Sequence, residues 1–139
     1  MILCDIDGTL IEKSEKGGIN YGVETAIPIQ CTINAIEYFY QEGHQIVFFT
    51  KRNIIHYKIT RELLDKLFRP EFGILYCKPS YILTNISREA KWDMFIDSKF
   101  QSFVGKYGNA LLIDDNLEVL HEFNKHGVPA IHPDTFDWD

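Results

Sequence analysis

The chain has 139 residues, of which 45% are hydrophobic and 24% charged, and its formal net charge is −6. This length fits one domain of common size, and the composition is typical of a globular protein rather than a disordered one. The negative charge disfavours binding to nucleic acid or acidic membranes through the overall field, although a local basic patch is compatible with it. Because the chain shows neither a signal peptide nor an apolar run of membrane-spanning length, we expect a cytoplasmic protein. Its length leads us to expect a single domain over residues 1–139.

Short apolar runs alternate with segments of helical periodicity along the whole chain. This alternation predicts a mainly parallel sheet with helices on both faces. Each run is almost continuously apolar, as expected of strands that are covered on both sides. The expected strands lie at residues 2–4, 46–50, 73–77, 110–113 and 130–132.

Four helices are expected between these strands, because apolar residues recur there at helical spacing. Gly43 and Gly127 are well placed to end the first and the last helix, and Asn116 is a candidate N-cap for the last. The prediction is therefore an α/β fold of three layers around a five-stranded sheet. The expected helices lie near residues 29–40, 55–68, 88–103 and 117–126.

Two carboxylates lie two residues apart where the first strand ends. Asp5 and Asp7 stand in the run Cys-Asp-Ile-Asp-Gly-Thr-Leu, and Gly8 indicates a turn. In open α/β sheets, ligands bind beyond the carboxyl ends of the strands. A single Asp-Gly pair would indicate an ordinary turn. Two crowded carboxylates repel each other, and a divalent cation is the usual partner that stabilises them.

A second acidic pair repeats this arrangement at another strand end. Asp114 and Asp115 follow the apolar run at residues 110–113 directly. One of them is explained by the preference of helix N-termini for acidic residues. The two pairs together place up to four carboxylates at neighbouring strand ends, which is costly without a bound metal. Hard oxygen ligands favour Mg²⁺ over zinc.

A hydroxyl group and two cations follow the second expected strand. Thr50 stands at its end, with Lys51 and Arg52 next to it. A hydroxyl group at a strand end, just before a helix N-terminus, can bind phosphate oxygens together with backbone N–H groups. Taken alone, Thr50 would be a helix cap and the two cations would be surface residues.

The residues described above resemble, in type and in order, the haloacid dehalogenase (HAD) superfamily of phosphohydrolases. Asp5 and Asp7 fit its first motif, in which the first Asp is the nucleophile and the second the general acid/base. Thr50 fits the phosphoryl-binding second motif, and Asp114 and Asp115 fit the fourth motif, which completes the Mg²⁺ site with Asp5 and Asp7. The resemblance implies a Rossmann-like fold and an aspartyl-phosphate intermediate.

The third motif of the superfamily is a lysine that neutralises the phosphoryl group. Two residues of this sequence fit it, Lys91 and Lys78, and Lys91 is favoured. The resemblance also implies that the backbone N–H groups after Asp5, around Gly8 and Thr9, bind the phosphoryl oxygens. Little room is left for a cap domain, so we expect an open site with only a small β-hairpin flap or a mobile loop at residues 11–26.

Within the superfamily, the sequence is most similar to the 3′-phosphatase domain of phage-type polynucleotide kinase/phosphatases. Lys16 and Arg52 match basic substrate-contacting positions of that family, and Lys51 lies beside them. The resemblance implies a phosphate-ester substrate, with the 3′-phosphate end of a polynucleotide as one candidate. Two alternatives stay open, a phosphatase of small nucleotides or sugar phosphates and a non-catalytic phosphate-binding module. The sequence does not define the oligomeric state.

Overall fold

The protein was analysed as a computed structural model, which describes residues 1–15, 17–78, 91–102 and 110–136. Five strands in this part of the chain form one sheet of order β3-β2-β1-β4-β5, and every neighbouring pair is parallel. The predicted parallel five-stranded sheet is thereby confirmed. The strands are β1 (Ile2–Cys4), β2 (Ile46–Asn53), β3 (Ile74–Lys78), β4 (Leu111–Ile113) and β5 (Ala130–Ile131).

Within the described ranges, four α-helices connect or flank these strands, as the periodicity of the sequence predicts. Two short 3₁₀ helices are described as well, one directly after β2 and one after β5. The last α-helix begins at the predicted N-cap, because the side chain of Asn116 accepts hydrogen bonds from the N–H groups of Glu118 and Val119. The α-helices are α1 (Gln30–Gln41), α2 (Tyr57–Leu67), α3 (Lys91–Asp97) and α4 (Leu117–Lys125), and the 3₁₀ helices are Ile54–His56 and Pro133–Phe136.

The hydrophobic core lies on both faces of the sheet, since successive strand residues point to opposite sides. In β1, Ile2 and Cys4 pack in one cluster with side chains of α1 and α2. The intervening Leu3 packs in a second cluster with side chains of α3 and α4. The protein is therefore a three-layer α/β structure, as predicted. None of the helices in the described part of the chain combines the length and the apolar character needed to cross a bilayer.

The central position of β1 determines where its two carboxylates lie. Cys4, its last residue, is in register with Phe48 of β2 and with Ile113 of β4. The residues that follow these three positions therefore meet at the same edge of the sheet. The N–H group of Asp5 also donates to the carbonyl oxygen of Ile113 at 2.9 Å, which continues the pairing one residue beyond β1.

The second strand is longer than predicted, and this changes the setting of Thr50. β2 continues to Asn53, with a register shift against β3 between Phe49 and Asn53. The hydroxyl oxygen of Thr50 accepts a hydrogen bond from the N–H group of Arg52 at 3.1 Å. The expectation of a helix N-terminus directly after Thr50 is therefore wrong. Pairing with β3 extends the strand, and a 3₁₀ turn precedes α2.

The third helix is shorter than the range predicted for it. The hydroxyl group of Ser98 donates to the carbonyl oxygen of Phe95 at 2.7 Å and accepts from the N–H group of Phe100 at 3.2 Å. This local bonding interrupts the helical pattern after Asp97, and Gln101 and Ser102 are helical again. The residues at 88–90 and 103, at the two ends of the predicted range, lie outside the described part of the chain.

Residues 11–28 form a segment between β1 and α1 that is called the flap below. Backbone hydrogen bonds fix the base of this segment. The N–H group of Glu12 donates to the carbonyl oxygen of Ile27 at 2.9 Å, and the N–H group of Ile29 donates to the carbonyl oxygen of Leu10 at 2.8 Å. Its described residues contain turns and two isolated bridges rather than a ladder of paired strands. A β-hairpin, one of the two forms expected here, is thus not what the described residues adopt.

Candidate active site

A cavity of about 190 Å³ lies at the carboxyl edge of the sheet. Carboxylates follow β1 and β4 there, polar residues come from the end of β2, and the flap contributes one side. Most of the residues that the sequence singled out line this cavity, namely Asp5, Asp7, Thr50, Lys51, Arg52, Lys91, Asp114 and Asp115. Residues that are separate in the sequence therefore share one site.

Three carboxylates form the floor of the site. One oxygen each from Asp5, Asp114 and Asp115 lies within 4.8 Å of the others. Asp5 is 8% exposed and Asp114 is 2% exposed, so their charges are largely shielded from water. Carboxylate oxygens at this spacing fit a small divalent cation such as Mg²⁺, which takes hard oxygen ligands.

The side chain of Lys91 neutralises part of this cluster. Its ammonium group donates to Oδ1 of Asp5 at 2.9 Å and to Oδ2 of Asp114 at 2.6 Å. Burial alone would lower the pKa of Lys91, but the carboxylates of Asp5 and Asp114 outweigh that effect and raise it above its usual value. Lys91 is therefore a permanent cation between two carboxylates of the proposed metal site.

Lys91 and Lys13 together do not balance three carboxylates, and Asp5 shows the consequence. Burial is the largest cause of a rise in the pKa of Asp5 to about 7, Lys91 opposes that rise, and the charge of Asp114 adds to it. Burial would also raise the pKa of Asp115, but hydrogen bonding with Asp5 and the ammonium group of Lys13 lower it. Without a further cation, the site thus favours a proton on Asp5.

The turn after β1 brings backbone and side chains close to Asp115. The hydroxyl group of Thr9 lies 3.2 Å from Oδ2 of Asp5 and 3.3 Å from Oδ1 of Asp115. Gly8 has a φ of +82°, and a Cβ atom placed on it would collide with the carboxylate of Asp115. A glycine is needed here for both its backbone conformation and its small size.

The second carboxylate of the first pair has a cation of its own. Nε of Arg52 donates to Oδ2 of Asp7 at 2.9 Å, and Nη2 donates to Oδ1 at 2.8 Å. Arg52 is 1% exposed, so this two-bond pair is buried on the arginine side. Asp5 and Asp7, which are two residues apart, therefore contact different cations.

Thr50 and Lys51 line the cavity from the end of β2. Thr50 is buried and Lys51 is exposed. Gly8 and Thr9 lie beside the carboxylates, but their N–H groups donate to the carbonyl oxygens of Ile11 and Ile6, at 2.8 and 3.2 Å, rather than facing a phosphoryl group. Lys16 lies outside the described residues, and only the backbone of Lys78 is described, so the structure places neither side chain.

The sequence reasoning did not single out Lys13, which lines the cavity from the flap. Its ammonium group lies 3.2 Å from Oδ2 of Asp115. The signal available in the sequence was its position six residues after Asp7, in a segment rich in charges and glycines. Such a loop also contains Glu12, Glu15 and Lys16, so its composition alone does not indicate which side chain turns inward.

The fold of this protein therefore brings carboxylates and a lysine together at the carboxyl edge of a parallel sheet. Neither a family model nor a curated protein sequence matches the chain. Solved structures do match it in fold. A protein from Mesorhizobium loti, named as a HAD-like phosphatase, superposes with a TM-score of 0.63 at 13% identity, over 91% of this chain and 68% of that one. The chain therefore has a HAD-like fold, as its motifs indicate.

Two further matches are chains of particular assemblies. A chain of the Pnkp1/Rnl/Hen1 complex matches with a TM-score of 0.73 and 18% identity, over 94% of this protein and 44% of its own length. A chain of the Pnkp1/Rnl/Hen1 RNA repair complex matches with a TM-score of 0.70 and 18% identity, over 94% and 41%. This protein thus spans less than half the length of either chain.

The contact between Gly8 and Asp115 leads to a first prediction, with Gly43 as its matched control. Gly43 has a φ of +90°, but an added Cβ atom would meet no described atom within 4 Å. Gly8→Ala and Gly43→Ala should each destabilise the protein by about 1–2 kcal/mol through backbone strain. Only Gly8→Ala should also displace Asp115 and weaken Mg²⁺ binding, roughly tenfold or more, measured by calorimetric titration. Equal Mg²⁺ affinity in the two variants would contradict this account.

The raised pKa of Asp5 leads to a second prediction. Since that pKa rises from an ordinary value of 3.8 to about 7, the folded protein holds a proton that the unfolded chain has already lost at pH 4 to 7. The free energy of unfolding in EDTA should therefore fall as the pH rises through this range. Asp5→Asn should remove most of this fall and raise the melting temperature at pH 7.5 by roughly 3–5 °C.

The control for that measurement is Asp97→Asn, because Asp97 is exposed at the end of α3. It should show the same fall in stability between pH 4 and 7 as the wild type. The comparison is made by thermal unfolding in EDTA across this pH range. If Asp5→Asn keeps the wild-type slope, the proton is not held by Asp5.

Proposed function

We propose that the protein is a Mg²⁺-dependent phosphomonoesterase that works through an aspartyl-phosphate intermediate on Asp5. The observation that supports this most strongly is the environment of Asp5. Its carboxylate lies at the end of the central strand, in contact with the ammonium group of Lys91 and beside two further carboxylates. A structural salt bridge would need one carboxylate for one lysine, whereas this cluster sets three carboxylates against Lys91 and Lys13 and so keeps one carboxylate in excess.

The cation proposed for this excess charge is Mg²⁺, held by Asp5, Asp114 and Asp115. Asp7, the fourth residue of the predicted set, would contribute its backbone carbonyl oxygen, as the family resemblance implies. When bound, the ion would offset the charge of the carboxylates and of the phosphate oxygens, which otherwise repel an anionic nucleophile. Lys91 would add a second positive charge from the buried side of the site.

The proposed reaction has two steps. In the first, an oxygen of Asp5 attacks phosphorus, the bond from phosphorus to the ester oxygen breaks, and Asp7 gives its proton to that leaving oxygen. In the second, water attacks the aspartyl phosphate, Asp7 takes a proton from it, and inorganic phosphate leaves with Asp5 restored. Thr50 and the backbone N–H groups directly after Asp5 would bind the remaining phosphoryl oxygens; those of Gly8 and Thr9 already donate to the carbonyl oxygens of Ile11 and Ile6.

The substrate class that we favour is a polynucleotide with a 3′-phosphate end. The two matches from the Pnkp1/Rnl/Hen1 assemblies support this choice, since one of these assemblies is named as an RNA repair complex. The surface next to the site supports it as well. Lys51 is exposed at the cavity, and Ile55 and Tyr57, just after β2, are 70% and 43% exposed. Cations beside exposed apolar side chains suit a nucleic acid strand, whose charged backbone is accompanied by flat bases.

We also propose, as expected from the sequence, that the protein acts in the cytoplasm.

A phosphatase of small nucleotides or sugar phosphates is the second candidate. The small volume of the cavity favours it, because about 190 Å³ holds a phosphoryl group and little more unless the substrate extends outside. A side-by-side measurement of phosphate release with Mg²⁺ separates the candidates, using 3′-phosphorylated oligonucleotides, mononucleotides and sugar phosphates.

Preference for the oligonucleotide should depend on Lys51. Lys51→Ala should raise KM for a 3′-phosphorylated oligonucleotide about 3- to 10-fold at low salt, since a phosphate contact is lost. KM for 4-nitrophenyl phosphate should change little. Lys58→Ala, which removes an exposed cation from α2, is the control. A higher rate with small metabolites than with oligonucleotides would overturn the polynucleotide proposal and leave the phosphatase proposal intact.

The chemistry itself is tested by substitutions at Asp5 and at the two candidate lysines. Asp5→Asn should abolish Mg²⁺-dependent release of phosphate from 4-nitrophenyl phosphate, because the amide is a poor nucleophile. Lys91→Met should reduce turnover by at least about 10²-fold, as expected when a charge-stabilising group is lost. Lys78→Met should keep most of the activity. Wild-type turnover by Asp5→Asn would eliminate the aspartyl-phosphate mechanism, and the reverse ranking of the lysines would assign the third motif to Lys78.

A further inference from the structure

Arg52, in its ion pair with Asp7, is more deeply buried than a cation that binds substrate needs to be. Both oxygens of Asp7 accept a hydrogen bond from the same guanidinium, at 2.9 and 2.8 Å. Parallel bonds of this kind fix the plane of a carboxylate as well as its distance. Since Arg52 is 1% exposed, a substrate phosphate would reach it only after this pair had opened.

The rest of the guanidinium is held by α2 and by the flap. Nη1 donates to the hydroxyl oxygen of Thr60 at 3.3 Å, and Nη2 donates to the carbonyl oxygen of Asn20 at 3.1 Å. The ring of Tyr21 lies with its centroid 5.1 Å from Cζ of Arg52. The other neighbour of that ring is His56, whose ring centroid is 4.4 Å away. Two consecutive flap residues therefore fix the arginine that fixes Asp7.

Building on the phosphatase proposed above, we propose that Arg52 is a positioning residue for Asp7 and that the flap, through Asn20 and Tyr21, keeps Arg52 in place. The position of the flap then determines how well Asp7 serves the leaving group. Displacement of the flap by a bound substrate would therefore act on proton transfer from Asp7 through Arg52.

The geometry around Asp7 favours positioning over substrate binding for Arg52. Each carboxylate oxygen has two acceptor directions, and Arg52 uses one on each. The remaining direction on each oxygen is available for a leaving group or a water molecule. Lys91 contacts Asp5 and Asp114, so Arg52 is the cation assigned to Asp7.

If Asp7 loses this positioning, the first chemical step should slow more for some leaving groups than for others. When the phosphorus–oxygen bond of the ester breaks, the leaving oxygen takes up the proton of Asp7. A 4-nitrophenolate ion is stable enough to leave without that proton, whereas a phenolate ion gains more from it. The two aryl esters have almost the same size, and kcat/KM reports the step in which the leaving group departs.

The test compares kcat/KM for phenyl phosphate and 4-nitrophenyl phosphate in the full chain with Mg²⁺. Tyr21→Ala should lower kcat/KM for phenyl phosphate at least 10-fold more than for 4-nitrophenyl phosphate. Tyr21→Phe keeps the ring and should keep the wild-type ratio. Ile27→Ala is the control within the flap, because Ile27 is 56% exposed and does not line the cavity.

A second variant addresses Arg52 directly. Arg52→Lys keeps the charge but not the two parallel hydrogen bonds. It should change the ratio of the two esters in the same direction as Tyr21→Ala and by a larger factor. Removing a buried cation can unfold a protein, and Tyr21→Ala keeps the proposal testable if Arg52→Lys does not fold.

Equal losses on the two esters in Tyr21→Ala would overturn the proposal, because they would show a general loss of structure or binding. An unchanged kcat/KM for both esters would overturn it too. If Tyr21 serves instead to stack on a base, Tyr21→Ala would raise KM for oligonucleotides alone and keep the ratio of the aryl esters. Absence of turnover by the wild-type protein on either ester would instead refute the phosphatase proposal, and this inference with it.

Discussion

The contact on which the site depends is that of the Lys91 ammonium group with the carboxylates of Asp5 and Asp114. All three residues are at least nine-tenths buried. Burying a charge is costly unless it is paired, and removing Lys91 would leave two buried carboxylates without their cation, a loss that commonly costs several kcal/mol, about 3–5. Lys91 lets β1 and β4 end in carboxylates side by side, but it leaves enough negative charge to attract a divalent cation. The same arrangement thus serves folding and the proposed chemistry.

The sequence was sufficient to predict the sheet and the edge at which the acidic residues meet. Short, almost continuously apolar runs are typical of strands covered on both faces, and Asp5 and Asp114 follow two such runs directly. Their proximity also requires β1 and β4 to be neighbours in the sheet, as the structure shows. The end of β2 was predicted less well, because pairing of Asn53 with β3 depends on a neighbour that local sequence does not reveal.

The partners of the cations were beyond sequence reasoning for a different reason. The sequence suggested Arg52 as a substrate contact. Its position next to Lys51 did not indicate that one of the two side chains is buried and the other exposed. Lys51 is exposed, whereas Arg52 is buried against Asp7 and the flap. Long flexible side chains adopt one arrangement only after distant segments have packed. Lys13 was missed for the same reason, since its contact with Asp115 spans most of the chain.

The central place of β1 has a consequence for local stability. Its strand neighbours on both sides and its buried side chains make it one of the last elements that a partial opening would release. The flap is attached by a few hydrogen bonds at its base and by side-chain contacts such as that of Tyr21 with Arg52. Amide hydrogens of β1 should therefore exchange with solvent far more slowly than those of the flap. The proposed nucleophile thus follows the most persistent strand of the molecule, while the segment proposed to position its acid/base partner is among the least persistent.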